Sequence, residues 1–211
     1  MKNMIICIGR QYGSGGREIG EKLAERLGIP CYDKLLIQQT AAEAGLSVET
    51  VEADEETPIG LCELMSGNPF ADSASLNSVF YSEKQLVFEA ERKTILEIAA
   101  KGPCIIVGRC ASSILHDAGY DILSVFIYAD IDDRAKRVAE RNGIEVKTAM
   151  HKTEKVDRMR KKYFDFYTDT TWGEPSSYDL MISSSRYGID GVVDVILNAI
   201  PNKKEKEVSH E

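Results

Sequence analysis

The chain has 211 residues, of which 43% are hydrophobic and 28% are charged, and its formal net charge is -8. This length and composition indicate one globular domain. The negative charge argues against a broad nucleic-acid surface, because a phosphate backbone requires clustered lysine and arginine, but a small phosphorylated ligand stays compatible with it. The apolar run at residues 4–8 is too short for a signal peptide or a membrane span. We therefore expect a cytoplasmic protein that binds neither nucleic acid nor membrane.

The cysteines give no sign of a disulfide framework or a zinc site. The chain has five cysteines, an odd number, and no two of them are spaced as C-x-x-C. Cys7 and Cys104 lie inside apolar runs, where a cysteine acts as a small hydrophobic residue. We expect reduced thiols, as is usual for a cytosolic protein.

Short apolar runs that alternate with helical patterns predict five buried strands. The predicted strands are residues 4–8, 29–32, 104–107, 123–128 and 180–183. The run at 104–107 is continuous, which is typical of a strand buried on both faces. Strands that alternate with helices predict an α/β fold, a parallel sheet with helices on both faces. Ligands of such sheets bind at the carboxyl ends of the strands.

Helical periodicity and glycine stops predict the helices between these strands. The predicted helices are residues 17–27, 35–44, a short one from Ser47, 82–101, 111–117, 131–141, 146–166 and 191–199. Residues 57–81 contain proline, glycine and many serines, which predicts a long loop before a helix capped by Ser82 and Gln85. Asp190 is the expected cap of the last helix, and the charged tail at 202–211 is expected to be disordered.

The junction of the first strand and the first helix has the composition of a phosphate-binding loop. Gly13, Ser14, Gly15 and Gly16 lie there. Glycines let successive backbone N–H groups point at an anion, and the helix N-terminus adds a partial positive charge. The alternative is a tight turn without a ligand, although three glycines and an arginine exceed what turn geometry alone requires.

This loop departs from the motif G-x-x-x-x-G-K-[ST] at two positions. Read without gaps, Gly16 takes the lysine position, and Glu18 stands near the expected magnesium-binding hydroxyl. Arg17 follows at once and would supply the missing positive charge. Arg10, at the front of the loop, is another candidate.

Two predicted helices carry basic residues at spacings of three and four, which place them on a common face. These residues are Arg134, Arg137 and Arg141 on the first helix and Lys155, Arg158 and Lys162 on the second, with Arg160 and Lys161 beside them. Arginine suits phosphate binding because its planar fork grips two oxygens at once. The alternative for such charge runs is a solvated surface.

Two aspartates and two aromatic residues each have two interpretations. Asp33 follows a predicted strand and would either reach Mg²⁺ or cap the next helix. Asp157 would either orient the arginines or pair with Lys161. Trp172 and Tyr178 precede the last strand, where an aromatic ring either stacks on a base or packs in the core.

Four ordered segments resemble the cytidylate kinase-like family, the branch of P-loop nucleoside monophosphate kinases with an altered glycine loop. The segments are GRQYGSGGREIGEKLAERLGIPCYDKLLI, PCIIVGRCASSIL, FIYADIDDRAKRVAERNGI and DRMRKKYFDFYTDTTWGEPSSYDLMISSSRYGID. The resemblance implies a P-loop NTPase fold with a five-stranded parallel sheet in one domain, residues 1–201. It also implies a helical monophosphate-binding insertion at 34–101 and a lid at 134–167.

The resemblance further implies roles for individual residues. In ordinary cytidylate kinases a Gly-Arg-Asp stretch ends the third strand, and its arginine binds the acceptor phosphate. Gly108-Arg109 matches that stretch, although Cys110 replaces the aspartate. Tyr32-Asp33 resembles the Tyr-Leu-Asp stretch that ends the second strand. The lid arginines correspond to Arg134, Arg137, Arg158 and Arg160.

The residues and the resemblance together predict an enzyme that transfers the γ-phosphoryl group of ATP to a nucleoside monophosphate, with Mg²⁺ bridging the donor phosphates. CMP or dCMP is the expected acceptor. One alternative is a kinase of another small molecule on the same scaffold. A second is a nucleotide-binding sensor without turnover, which the missing lysine would explain. A monomer and a homodimer both fit the sequence.

The predicted site residues fall into four groups. The expected catalytic residues are Arg17, Arg109, Arg134, Arg137 and Arg160. The expected donor-binding residues are Gly13, Ser14, Gly15, Gly16, Arg17 and Glu18. The expected acceptor-binding residues are Asp33, Arg109 and Arg158, and Asp33 is also the expected magnesium ligand.

Overall fold

The computed structural model describes residues 4–33, 42, 45 and 73–200, with the backbone alone for 73–84. The strands in this part of the chain are β1 (Ile5–Arg10), β2 (Cys31–Tyr32), β3 (Cys104–Val107), β4 (Ile122–Tyr128) and β5 (Leu180–Ser183). The helices are α1 (Gly16–Leu27), α2 (Ser73–Lys101), α3 (Ala111–Asp117), α4 (Ile131–Asn142), α5 (Val146–Tyr167) and α6 (Ser184–Ala199). A short 3₁₀ turn, Pro175–Ser177, precedes β5.

The sheet is parallel throughout, in the order β2-β3-β1-β4-β5. β1 is the central strand, and its Ile6 lies opposite Ile105 of β3 and Leu123 of β4. The chain crosses to one side of β1 for β2 and β3 and to the other side for β4 and β5. A ligand crevice is expected at the carboxyl end of a strand where the direction changes in this way. The predicted five-stranded parallel sheet is confirmed.

Successive side chains of a strand point to opposite faces of the sheet, and helices cover both faces, so both are buried. On one face, Ile5 and Cys7 of β1 pack with Cys104 and Ile106 of β3 against residues of α2, α3 and α5. On the other face, a second set packs against α1 and α6. That set includes Ile6, Ile8, Ile105, Val107, Val125 and Ile127. The continuous apolar runs of the sequence thus form a sheet between two helical layers.

Two predicted helix starts are wrong. α2 begins at Ser73 rather than at Ser82, so part of the predicted loop at 57–81 is helical. Residues 73–81 contain neither proline nor glycine, and serine or asparagine costs a long helix only a fraction of a kcal/mol. α6 begins at Ser184, and Gly188, with φ 67° and ψ 175°, interrupts it. Asp190 lies within that helix and binds Lys22 Nζ at 2.7 Å instead of capping it.

Several predictions fall outside the described residues. These are most of the helix at 35–44, the helix from Ser47, the remainder of the loop at 57–72, and the tail at 202–211. Of the cysteines, Cys7, Cys31, Cys104 and Cys110 are free thiols, as predicted, and Cys62 is among the residues left undescribed. None of the described helices is both long and apolar enough to cross a membrane.

Candidate active site

The loop between β1 and α1 can be built only with glycine at two positions. Gly13 and Gly15 have φ of 77° and 83°, in the left-handed region that side chains disfavour. A Cβ atom on Gly13 would lie 2.9 Å from the carbonyl oxygen of Arg134, and one on Gly15 would collide with Cδ1 of Ile189. The loop therefore lies close against both α4 and α6.

Ser14, at the centre of the loop, fixes its shape from both sides. The residue is fully buried. Its hydroxyl donates to the carbonyl oxygen of Gln11 at 2.9 Å, and its carbonyl oxygen accepts from Ser184 Oγ at 2.7 Å. The Ser14 backbone N–H also donates to the carbonyl oxygen of Gln11, at 3.3 Å. The loop is thus held by the groups of Ser14, and the N–H groups of the flanking glycines are the ones that suit an anion.

Three arginines of α4 reach this loop from one helix face, as their spacing predicts. Arg137 Nη1 donates to the carbonyl oxygen of Gly13 at 2.6 Å. Arg141 Nη2 donates to the Tyr12 hydroxyl at 2.7 Å, and Arg134 Nη1 donates to the carbonyl oxygen of Tyr12 at 3.4 Å. The common face is confirmed, and it brings three guanidinium groups to the glycine loop.

Asp157 of α5 joins the loop to α4. Its Oδ1 accepts from the Tyr12 backbone N–H at 2.7 Å, and its Oδ2 pairs with Arg134 Nη1. Burial raises the pKa of Asp157, while the hydrogen bond from Tyr12 and the charge of Arg134 act in the lowering direction. Lys161 pairs with Asp165 at 2.9 Å instead, so the first of the two interpretations of Asp157, an arginine-orienting carboxylate, is confirmed.

A cavity opens beside the loop at the carboxyl ends of β1 and β3. Its empty volume is about 490 Å³, which includes space open to solvent. Arg10, Arg109 and Arg160 line it together with the aromatic residues Tyr163, Phe164, Trp172 and Tyr178. The mixture of three cations and aromatic walls suits a ligand that carries both a phosphate and a ring.

Arg109 is buried at the end of β3 in an ion pair that the sequence did not predict. It pairs with Glu91 of α2, and the two side chains are 3% and 1% exposed. Tyr163 of α5 donates its hydroxyl to the other carboxylate oxygen of Glu91 at 2.7 Å. Burial, followed by the charge of Glu91, raises the pKa of Tyr163 well above its usual value.

A signal for Glu91 was present in the sequence. It lies on the buried stripe of α2, which includes Val87, Phe88, Ile95 and Ile98. A glutamate on such a stripe is rarely buried unless it is paired, so it points to a buried cationic partner.

Asp33 and the α1 residues lie at the edge of the site. Asp33 Oδ1 lies 3.9 Å from Arg10 Nη2, and Asp33 Oδ2 lies 3.3 Å from Arg17 Nε. Arg17 is 46% exposed and also binds Glu21 at 3.1 Å. The Glu18 side chain is exposed and lies 3.9 Å from Lys22.

The two lid arginines of α5 diverge. Arg160 lines the cavity and donates to the carbonyl oxygen of Arg10 at 3.3 Å, whereas Arg158 lies on the exposed side of the helix. Residues two apart on a helix point about 200° apart, so only one of them faces the cavity.

Few of the side chains that the structure places near the glycine loop could bind Mg²⁺. Within the described residues, no three His, Cys, Asp or Glu side chains cluster as a metal site. Asp33 provides one carboxylate beside the loop, already paired with arginine. This donor set fits an ion held mainly by substrate phosphates and water, as Mg²⁺ commonly is in phosphotransferases.

The sheet order, the glycine-rich loop after the first strand and the arginine-lined cavity define a kinase with the P-loop fold. Shikimate kinase from Bacteroides thetaiotaomicron shares this fold, with a TM-score of 0.54 and 14% identity over 93% of this chain and 98% of that one. An uncharacterized protein from Eubacterium ventriosum is more similar, with a TM-score of 0.68 and 32% identity over 93% of this chain and 98% of that one.

Sequence comparison identifies the family. The model of the cytidylate kinase-like family matches residues 5–186. The cytidylate kinases of Pyrococcus horikoshii and Pyrococcus furiosus are each 30% identical to the chain, over 97% of both proteins. The chain therefore belongs to the cytidylate kinase-like family, and it is a phosphotransferase of the nucleoside monophosphate kinase type.

Proposed function

We propose that the protein transfers the γ-phosphoryl group of ATP to a nucleoside monophosphate, with CMP or dCMP as the acceptor. One observation carries the proposal: the glycine loop and the arginine-lined cavity meet at the carboxyl end of the central strand β1. A donor phosphate on the loop and an acceptor phosphate in the cavity would therefore be neighbours. Phosphoryl transfer depends mainly on such positioning and on charge neutralisation.

The donor side of the site is the loop and the start of α1. The backbone N–H groups of Gly13, Gly15 and Gly16 and the helix N-terminus would hold the ATP phosphates. Mg²⁺, when bound, would neutralise the donor phosphates and be held mainly by them, with Asp33 beside it. Arg17 contributes its side chain to this site only if it leaves Glu21 and Asp33.

The acceptor side is the cavity. Arg109 and Arg160 would bind the acceptor phosphate, and Trp172 and Tyr178 form a wall on which a base can stack. Arg134 and Arg137, which bind the carbonyl oxygens of Tyr12 and Gly13, would neutralise charge on the transferred group. Residues 134–167 act as the lid in this scheme, and residues 34–101 act as the monophosphate-binding segment.

A second candidate function is transfer to a small molecule other than a nucleotide. The ion pair of Arg109 with Glu91 favours it. The buried carboxylate offsets the positive charge of Arg109, which an acceptor without a phosphate does not require.

An acceptor panel tests the proposal. The purified protein is incubated with ATP, Mg²⁺ and one of CMP, dCMP, UMP, AMP or GMP, and ADP formation is measured against a reaction without acceptor. We expect a clear preference for CMP or dCMP. No ADP above background with any acceptor, while ATP still binds, would contradict the proposal and leave a different acceptor or a nucleotide sensor.

A pair of arginine variants controls this test. Arg109→Ala should raise the acceptor KM roughly tenfold to hundredfold, because one charged contact to phosphate is lost. Arg92→Ala removes an exposed arginine of α2 and should match the wild type. Equal KM values for the two variants would remove the role of Arg109.

A further inference from the structure

Relative to the ordinary phosphate-binding motif, the loop has a glycine at the lysine position and an arginine at the position of the first glycine. With Gly15 as the second glycine of G-x-x-x-x-G-K, the lysine position falls on Gly16 and the first glycine position falls on Arg10. The positively charged side chain of the motif is thus absent at Gly16, and a positively charged side chain is present at Arg10.

The structure shows why these two changes belong together. A Cβ atom on Gly16 would lie 2.7 Å from Cβ and 3.0 Å from Cγ of Arg10. Both distances are shorter than the usual contact between carbon atoms, about 3.5–4.0 Å. The stem of Arg10 therefore occupies the space through which a lysine side chain at position 16 would leave the backbone.

The rest of the Arg10 side chain depends on a second glycine, at the end of β3. A Cβ atom on Gly108 would lie 2.6 Å from Cζ and 3.0 Å from Nη2 of Arg10. Gly108 also has a φ of 83°, which disfavours any side chain there. Two glycines thus leave open the path by which the guanidinium runs from the loop to the cavity.

The surroundings of Arg10 are those of an anion site. Its side chain is only 12% exposed, and it lines the same cavity as Arg109 and Arg160. Arg10 Nη2 also forms an ion pair with Asp33 Oδ1, at 3.9 Å. Like charges gathered around one cavity are stabilised by an anion that binds between them.

Arg17 has a different setting. Its side chain is 46% exposed and binds Glu21 and Asp33. We propose that Arg10, and not Arg17, supplies the phosphate-facing cation that a lysine provides in the ordinary motif. Its planar fork would contact the terminal phosphates of ATP where the donor loop meets the acceptor cavity. This assignment rests on the proposed function.

ATP binding is measured by calorimetry. Turnover is measured with the acceptor that gives the highest rate in the acceptor panel. Arg10→Ala should weaken ATP binding about tenfold or more and lower kcat on the order of a hundredfold, as loss of a single transition-state donor does. AMP binding should change much less, because AMP lacks the terminal phosphates. Arg26→Ala, a surface arginine of α1 paired with Asp194, is the matched control and should resemble the wild type.

Two further variants test the exchange itself. Arg10→Gly should lose ATP affinity, and the double variant Arg10→Gly with Gly16→Lys should regain part of it, since the lysine then has room. Arg10→Lys keeps the charge and most of the stem, so it should retain more affinity than Arg10→Ala. It also serves as the test variant if Arg10→Ala does not fold.

The outcomes separate this assignment from the proposed function. If the wild type is active and Arg10→Ala matches Arg26→Ala in ATP affinity and kcat, the role of Arg10 is overturned while the proposed function stands. The same follows if Arg17→Ala loses more ATP affinity and kcat than Arg10→Ala does. A double variant no better than Arg10→Gly overturns the exchange of positions. A wild type without transfer to any monophosphate overturns the proposed function, whereas weaker ATP binding by Arg10→Ala would still support the role of Arg10. A wild type that binds no ATP overturns both.

Discussion

Glu91 is a carboxylate that the fold buries almost completely, and its burial depends on Arg109 and Tyr163. Its two oxygens are used by these two side chains, one from the end of β3 and one from α5. Taking two charges out of water costs several kcal/mol for each ion, and their attraction offsets this only with good geometry. The position of Arg109 is therefore fixed by Glu91, whose second carboxylate oxygen accepts from Tyr163.

Removing the charge of Glu91 tests this arrangement. Glu91→Gln should lower the free energy of unfolding by about 3 kcal/mol, because the Arg109 guanidinium stays buried without a carboxylate. Urea unfolding measures the change. Glu89→Gln, at an exposed position of the same helix, should change stability by less than about 0.5 kcal/mol. Similar free energies of unfolding for the two variants would show that the ion pair with Glu91 does not stabilise the buried Arg109.

At the scale of elements, the loop, α4 and α5 meet at one carboxylate. Asp157 on α5 binds the loop through the Tyr12 N–H and binds α4 through Arg134. The Tyr12 ring in turn lies against two guanidinium groups, with Arg141 Cζ at 5.1 Å and Arg160 Cζ at 5.4 Å from its centroid. These contacts tie the positions of the two helices to the shape of the loop.

The variant Asp157→Ala breaks this coupling. It should destabilise the protein by about 3 kcal/mol, since Arg134 is only 8% exposed and would lose its carboxylate. It should also weaken ATP binding, because the loop loses a fixed N–H partner. Unfolding in urea and calorimetric titration with ATP measure the two effects. Glu154→Ala, exposed on the same helix, is the control, and an Asp157→Ala protein as stable as that control would refute the coupling.

At the scale of the whole molecule, the sheet keeps its thiols protonated. Burial is the main cause that raises the pKa of Cys31 to about 12 and that of Cys104 to about 11, from 9.0. Burial also raises the pKa of Cys7, which lies beside Cys104 in the same core. In the unfolded chain these thiols would ionise near pH 9, so the folded protein binds more protons than the unfolded chain above that pH.

This difference predicts a loss of stability in alkali. Stability falls with pH wherever the native state binds more protons, so the thiol contribution is complete below about pH 9 and decreases between there and about pH 12. The urea midpoint should be lower at pH 10 than at pH 7.5. In the double variant Cys31→Ala with Cys104→Ala, the difference between the two pH values should be smaller. An unchanged difference would assign the alkaline loss to other groups.

Much of the fold follows from local patterns in the sequence. The bounds of β3, α3 and β5 agree with their predicted ranges, because continuous apolar runs and glycine or proline stops act over a few residues. The starts of α2 and α6 did not follow from the sequence. At 73–81 the serine-rich composition predicts a loop where the chain is helical, and in α6 the helix continues on both sides of Gly188.

The site divides in the same way. The sequence by itself determined the glycine loop and the shared face of Arg134 and Arg137, since positive φ angles and helical spacing are local properties. Only the tertiary structure decided that Arg160 rather than Arg158 faces the cavity and that Glu91 holds Arg109. It also decided that Arg10 runs past Gly16 to Gly108. The direction of a long side chain is set by packing against residues distant in sequence, which no short stretch of the chain contains.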